Sequence, residues 1–218
     1  MYLTEKIAIN IGIRSRTILN IDETREKVVI YGAMSLLQII WGVTWTSGIS
    51  LIFGVFYEAL LFSVIVSILR KYSGGVHASS PSRCVAIGTF IATGFGLLID
   101  KFLCSINIFT VGILGIICVL VSLIIVIKKS PVDSIKKPIN NIELKQRFKS
   151  CSIIIVFIYL ITIIAILWLY KLNSNLWYIK AIECISLGSL WQSITLTGNG
   201  AKILNKLDAV LKYIFERR

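Results

Sequence analysis

From residue 28 to residue 69 the chain runs 42 positions with a single charge, Glu58. At 1.5 Å per helical residue, that stretch is about twice as long as the ~30 Å apolar core of a bilayer, so it has to double back. Trp45-Thr46-Ser47-Gly48 marks the expected hairpin, dividing the stretch into spans 28–46 and 48–69. Four further apolar runs follow, at 84–99, 104–127, 151–170 and 176–197. The first of these holds Gly94 and Gly96, which membrane helices tolerate better than soluble ones. The pattern predicts an all-α integral membrane protein of about six transmembrane helices. It is one membrane domain, 28–197, between an N-terminal segment, 1–27, and a C-terminal segment, 198–218.

Both flanks read as amphipathic helices. After Gly198-Asn199-Gly200, the residues Ile203, Leu207, Val210 and Ile214 recur at helical spacing, with Lys202, Lys206 and Lys212 on other faces. Such a helix lies in the membrane interface with its apolar face in lipid or on the bundle. In the N-terminal segment Ile7, Ile9, Ile11 and Ile13 alternate with period two, whereas Leu3, Ile7, Ile11 and Ile18 fit a helix. The helical reading is preferred. The first apolar run begins too late and runs too long for a cleaved signal peptide.

Composition agrees with a membrane protein: 56% of the 218 residues are hydrophobic and 16% charged, against about 25% charged in an ordinary soluble domain. The net charge of +12 would suit a nucleic-acid partner, but its distribution has another explanation. Of the 23 Lys and Arg residues, 20 fall in 1–27, 70–83, 128–150 and the stretch after 197; only Lys101, Lys171 and Lys180 fall on the other side. That is a positive-inside pattern, with both termini and the 70–83 loop cytoplasmic. It leaves no charge that needs nucleic acid as a partner. The 128–150 stretch reads as an ordinary basic connector. Five cysteines, two of them (Cys104 and Cys118) inside apolar runs, suggest no disulfide framework. One histidine and no C-x-x-C pair give no metal site, and no cofactor is implied.

The candidate chemistry lies in Arg70 to Cys84, which reads RKYSGGVHASSPSRC. It holds the single histidine, His77, and Cys84 seven residues later. Cysteine attacks as thiolate, and Arg70, Lys71 and Arg83 are charges that would favour it. His77 can take the thiol proton. Ser80 before Pro81 has the form of an N-cap followed by the first helical residue, which would put Cys84 in the first turn of a helix. The positive end of that helix would favour thiolate, and its free amides could receive an oxyanion. In a straight helix, residues seven apart are about 10.5 Å apart along the axis. A base must come within roughly 2.6–3.2 Å. The dyad therefore needs a chain reversal, for which Gly74-Gly75 and Ser79-Ser80-Pro81 are suited.

The run Arg70-Lys71-x-x-Gly74-Gly75-x-His77-Ala78, followed by Cys84 at the head of an apolar segment, resembles the signature of the AgrB family (accessory gene regulator protein B). Length, span number and basic loops are also similar. The resemblance implies a cell-membrane cysteine endopeptidase with His77 as base and Cys84 as nucleophile, and with Arg70 and Gly75 in support. It implies an AgrD-type propeptide as substrate, a cyclic quorum-sensing peptide as product, and a possible homodimer.

Three acids lie in or beside apolar runs, where a charge at mid-membrane costs about 2.5–3.5 kcal/mol on insertion scales. Glu183 has Lys180 three residues earlier as a helical partner. Asp100 ends a span. Glu58 reads as mid-span without a local partner, with Gln38 as an expected contact. An alternative reading makes the chain a small transporter with Glu58, Glu183 and Gln192 along a path; another makes it a membrane scaffold.

Overall fold

The computed structural model describes residues 3–76, 78–133 and 141–216. His77 lies outside the described residues. The helices are α1 (Leu3–Leu19), α2 (Glu23–Ile52), α3 (Phe56–Ser73), α4 (Pro81–Leu98), α5 (Ile108–Lys129), α6 (Ile142–Leu172), α7 (Leu176–Thr195) and α8 (Gly198–Glu216). A π-helical turn, Ile99–Leu103, extends α4. Among the described residues there is no strand, only an isolated bridge between Gly74 and Val132.

Four helical stretches are long and apolar enough to cross a membrane: Glu23–Ile52, Pro81–Leu103, Ile108–Lys129 and Ile142–Leu172. The all-helical membrane architecture expected from hydropathy is therefore present. α3 and α7 are different in kind. α7 buries Ser186, Ser189, Gln192 and Ser193 alongside Ile179, Ile182 and Ile185, and it packs against α3, α5 and α6. Its polar positions are buried inside the bundle, and α3 and α7, expected as the spans 48–69 and 176–197, are not among the four helices long and apolar enough to cross a membrane. Glycines set the close approaches. A Cβ on Gly115 would lie 3.0 Å from Ile182 Cγ2, and one on Gly188 would lie 3.0 Å from Ile65 Cγ2. Small residues let membrane helices approach closely in this way.

The hairpin is not where the sequence suggested. α2 continues through Trp45–Gly48 and ends at Ile52, and the chain turns at residues 53–55, where Gly54 takes φ +71°. The small polar residues before it serve helix packing. The Thr44 hydroxyl donates back to the Ile40 carbonyl at 2.9 Å, and the Thr46 and Thr89 hydroxyls bond at 3.1 Å between α2 and α4.

α1 is helical and folds back along the first half of α2. The Arg16–Glu26 ion pair, at 3.0 Å, joins the near ends. Further along, a Cβ on Gly12 would fall 2.2 Å from Ile30 Cγ1. The face that meets α2 is the small one, with Ala8 fully buried. The predicted stripe is turned outward, with Ile7, Ile11 and Ile18 exposed. A flat small-residue face permits the closer backbone approach, and that decides the orientation.

α8 shows a similar rotation. Gly198 opens the helix, and Leu204 is the buried anchor, with Leu207, Asp208 and Leu211 half-buried beside it. Ile203, Val210 and Ile214 are exposed. The docked face is the i, i+3, i+4, i+7 stripe starting at Leu204.

Candidate functional site

α3 and α4 form an antiparallel pair, and the 70–84 segment reverses the chain between them. Near the far end of the pair Phe62 stacks on Phe95 with ring centroids 4.6 Å apart, and Gly96 approaches Ala59 so closely that a Cβ would lie 3.2 Å from the Ala59 amide. At the near end α3 stops at Ser73, and Gly74 and Gly75 take φ +72° and +130°. L-residues rarely adopt these angles, which explains two glycines in succession.

The reversal is fastened from several directions. The Arg70 guanidinium donates to the Val76 carbonyl. Val132 donates its amide to the Ser73 carbonyl at 2.9 Å and accepts from the Gly75 amide at 3.4 Å. The stretch after α5 is thus part of the loop's support rather than a plain connector. From α7, Gln192 Nε2 donates to Ser73 Oγ at 3.1 Å and to the Gly74 carbonyl at 2.9 Å.

α4 begins at Pro81 with Ser80 in the cap position. Cys84 lies in the first turn, its amide donating to the Ser80 carbonyl at 3.0 Å. The backbone has the expected N-cap form, but the side chain does not perform the cap. Ser80 makes no capping hydrogen bond, and its buried Oγ has no partner among the described residues. The first-turn amides of α4 are therefore not quenched by Ser80, and Cys84 is half-exposed beside them.

The three expected cations separate in space. Arg70 is turned to the loop backbone, where it donates to the Val76 carbonyl. Lys71 is exposed, its ammonium 5.3 Å from the Tyr72 ring centroid. Arg83 is buried, and its Nε donates to Asp208 Oδ1 at 2.8 Å. Asp208 also accepts from the Ser79 hydroxyl at 2.6 Å and the Ser79 amide at 3.1 Å. Burial pushes the Asp208 carboxyl up, but the Ser79 donors and Arg83 outweigh it and hold the group below the usual carboxylate range. Asp208 was not singled out in the sequence. The signal, in retrospect, is an acid among the lysines of α8, in register with Leu204 and Leu211.

At the opposite end of the bundle the acids are arranged differently from expectation. α3 starts at Phe56, so Glu58 is in its first turn rather than mid-span. Its partner is Lys180, not Gln38: the Lys180 Nζ donates to Glu58 Oε1 at 2.7 Å and to Asp100 Oδ1 at 2.5 Å. Lys180 does not pair with Glu183, whose buried Oε2 has no partner among the described residues. Among the described residues, no three His, Cys, Asp or Glu side chains converge as a metal site would need.

The comparisons with known proteins converge. The family model described as "Accessory gene regulator B" matches residues 3–196. The chain is 37% identical over 194 residues to "Putative AgrB-like protein" of Clostridium perfringens (strain SM101 / Type A), covering 88% of this chain and 90% of that one. It is 35% identical over 195 residues to "Putative AgrB-like protein 2" of Clostridium perfringens (strain 13 / Type A), with the same coverage. No solved structure matches. The family model covers every helix except α8, and the chain belongs to the AgrB family.

Proposed function

We propose that this protein is a membrane cysteine endopeptidase that cuts an AgrD-type amphipathic propeptide and passes the N-terminal portion to ring closure, giving a cyclic quorum-sensing peptide. The observation that carries the reading is Cys84 in the first turn of α4, half-exposed, beside amides that Ser80 leaves uncapped, at the end of a glycine-hinged reversal. The reading takes six spans, with α3 and α7 enclosed by the four apolar helices. It puts both termini and the 70–84 loop in the cytoplasm. A homodimer is compatible with it.

In this mechanism His77 takes the Cys84 proton and the thiolate attacks a propeptide carbonyl. The Cys84 sulfur–carbon bond forms, and the oxyanion meets first-turn amides of α4. His77 then gives its proton to the leaving amine as the carbon–nitrogen bond breaks, leaving a thioester on Cys84. A nucleophile within the peptide displaces Cys84 and closes the ring. A thiol exchanges one thioester for another, so the step is close to balanced. Water competes for the same carbonyl, which makes shielding of the site part of its chemistry.

The test is cleavage of a synthetic amphipathic propeptide by the purified protein in liposomes. Cys84→Ala and His77→Ala each abolish it, while Cys104→Ala and Cys118→Ala do not. Cleavage by Cys84→Ala refutes the proposal. No observation favours the transporter reading: Gln192 is engaged by the loop and Glu58 by Lys180.

A further inference from the structure

Gln192 is fully buried near the C-terminal end of α7. Its Nε2 reaches the 70–84 loop twice, at Ser73 Oγ and the Gly74 carbonyl, across 118 residues of chain in the second case. The same nitrogen sits over Gly75, where a Cβ would lie 3.6 Å from it and 3.4 Å from Thr195 Oγ1. Its Oε1 is buried and has no partner among the described residues. A primary amide offers two donors and one acceptor oxygen. Burying it half-satisfied costs free energy that an aliphatic side chain of the same size would not. Packing alone therefore does not account for an amide here. The atoms it grips belong to the chain four and three residues before His77.

We propose that Gln192 is a positioning residue for the cysteine chemistry, holding Ser73-Gly74-Gly75 so that the segment entering position 77 has a single path relative to Cys84. The inference rests on the endopeptidase reading. It assigns to α7, more than a hundred residues away, the control of dyad geometry, while α4 controls the nucleophile. Misplacing a reacting group by about 1 Å can cost on the order of 100-fold in rate.

The experiment uses the full chain in nanodiscs with Gln192→Met, which keeps length and removes both amide functions, and Gln192→Glu, which keeps an acceptor and removes the donors. Two quantities are read: kcat and KM on the synthetic propeptide, and the pH profile of Cys84 alkylation by iodoacetamide with the other four cysteines replaced by serine. Gln192→Met lowers kcat about 100-fold with KM within about twofold. Its alkylation profile moves to that of His77→Ala, which a purely structural role would not produce. Gln192→Glu behaves the same way, and decides the matter should the methionine variant not fold. Wild-type kcat, or a lowered kcat with an unchanged alkylation profile, overturns the inference. If the wild-type protein cleaves no propeptide, the endopeptidase reading fails. The alkylation profile still decides for or against positioning by Gln192.

Discussion

Asp208 is the point where α8 is held to the reversal, and Asp208→Asn measures how strongly. The carboxylate accepts from Arg83 Nε at 2.8 Å, Ser79 Oγ at 2.6 Å and the Ser79 amide at 3.1 Å. The Arg83 and Asp208 side chains are 8% and 15% exposed, so water screens the pair little. Breaking one side of a buried pair costs about 3–5 kcal/mol. Asparagine keeps the shape and one acceptor oxygen, which lowers the expected loss to about 2–3 kcal/mol, in the range for hydrogen bonds to charged groups. At about 1.4 kcal/mol per factor of ten, docking of α8 weakens roughly 30- to 150-fold. Leu204, a buried anchor of α8, supplies the reporter. With native cysteines replaced, a Leu204→Cys thiol is shielded while α8 is docked and labelled when it lifts. Asp208→Asn should raise its labelling rate by the stated factor. Arg83→Ala should raise it too, and the double variant should do no more than the larger single one. A rise under about threefold, or strictly additive effects, refutes the latch.

The same latch has a pH window. Because the Asp208 carboxyl is held below its ordinary value of 3.8, its contribution is complete above about pH 4 and falls away as pH drops through the lowered folded value; labelling at Leu204→Cys should be flat from pH 5 to 8 and rise only in stronger acid. At the other end of the bundle, Lys180→Met leaves the buried Glu58 without its cation and Asp100 with the exposed Lys101 at 2.8 Å. It should cost about 3–5 kcal/mol in thermal unfolding in detergent, much of it recovered by adding Glu58→Gln; an unchanged midpoint for Lys180→Met contradicts the pairing. Gly74→Ala meets two penalties, φ +72° and a Cβ 2.2 Å from the Val132 carbonyl oxygen. Backbone strain alone is about 1–3 kcal/mol, so amide exchange at residues 73–76 should accelerate at least tenfold.

Hydropathy made the helical membrane architecture legible because the apolar helices face lipid on one side and protein on the other. It marked 176–197 as an apolar run but could not show that the polar positions of that helix turn inward. A hydropathy sum enters Gln192 and Ser193 only as polar positions, yet one grips Gly74 and the other has no partner among the described residues. The hairpin was misplaced for a related reason. Thr46 and Gly48 resemble turn residues in sequence, but Thr46 bonds across to Thr89 and Gly48 faces open space. Only Gly54 takes the positive φ that the turn uses. In α1 and α8 the period of 3.6 was readable but the docked face was not, because large isoleucines remain at the surface while Ala8, Gly12 and Leu204 make the contact. The start of α4 at Ser80-Pro81 was readable from local chemistry. The Arg83–Asp208 pair, 125 residues apart, is a product of the tertiary fold and has no local signature.

The separation of the loop from its supports also sets an order of events during synthesis. Cys84 is in place once α4 exists, but Val132, Gln192 and Asp208 arrive later, the last of them 129 residues after Ser79. A nascent chain halted before α7 carries the thiol without the clamp on Ser73 and Gly74. On the proposed endopeptidase reading the nucleophilic sulfur is made early and armed last, so a partly translated or truncated chain would carry it with the loop unset. Under that reading, completion of the polypeptide is itself the activating step.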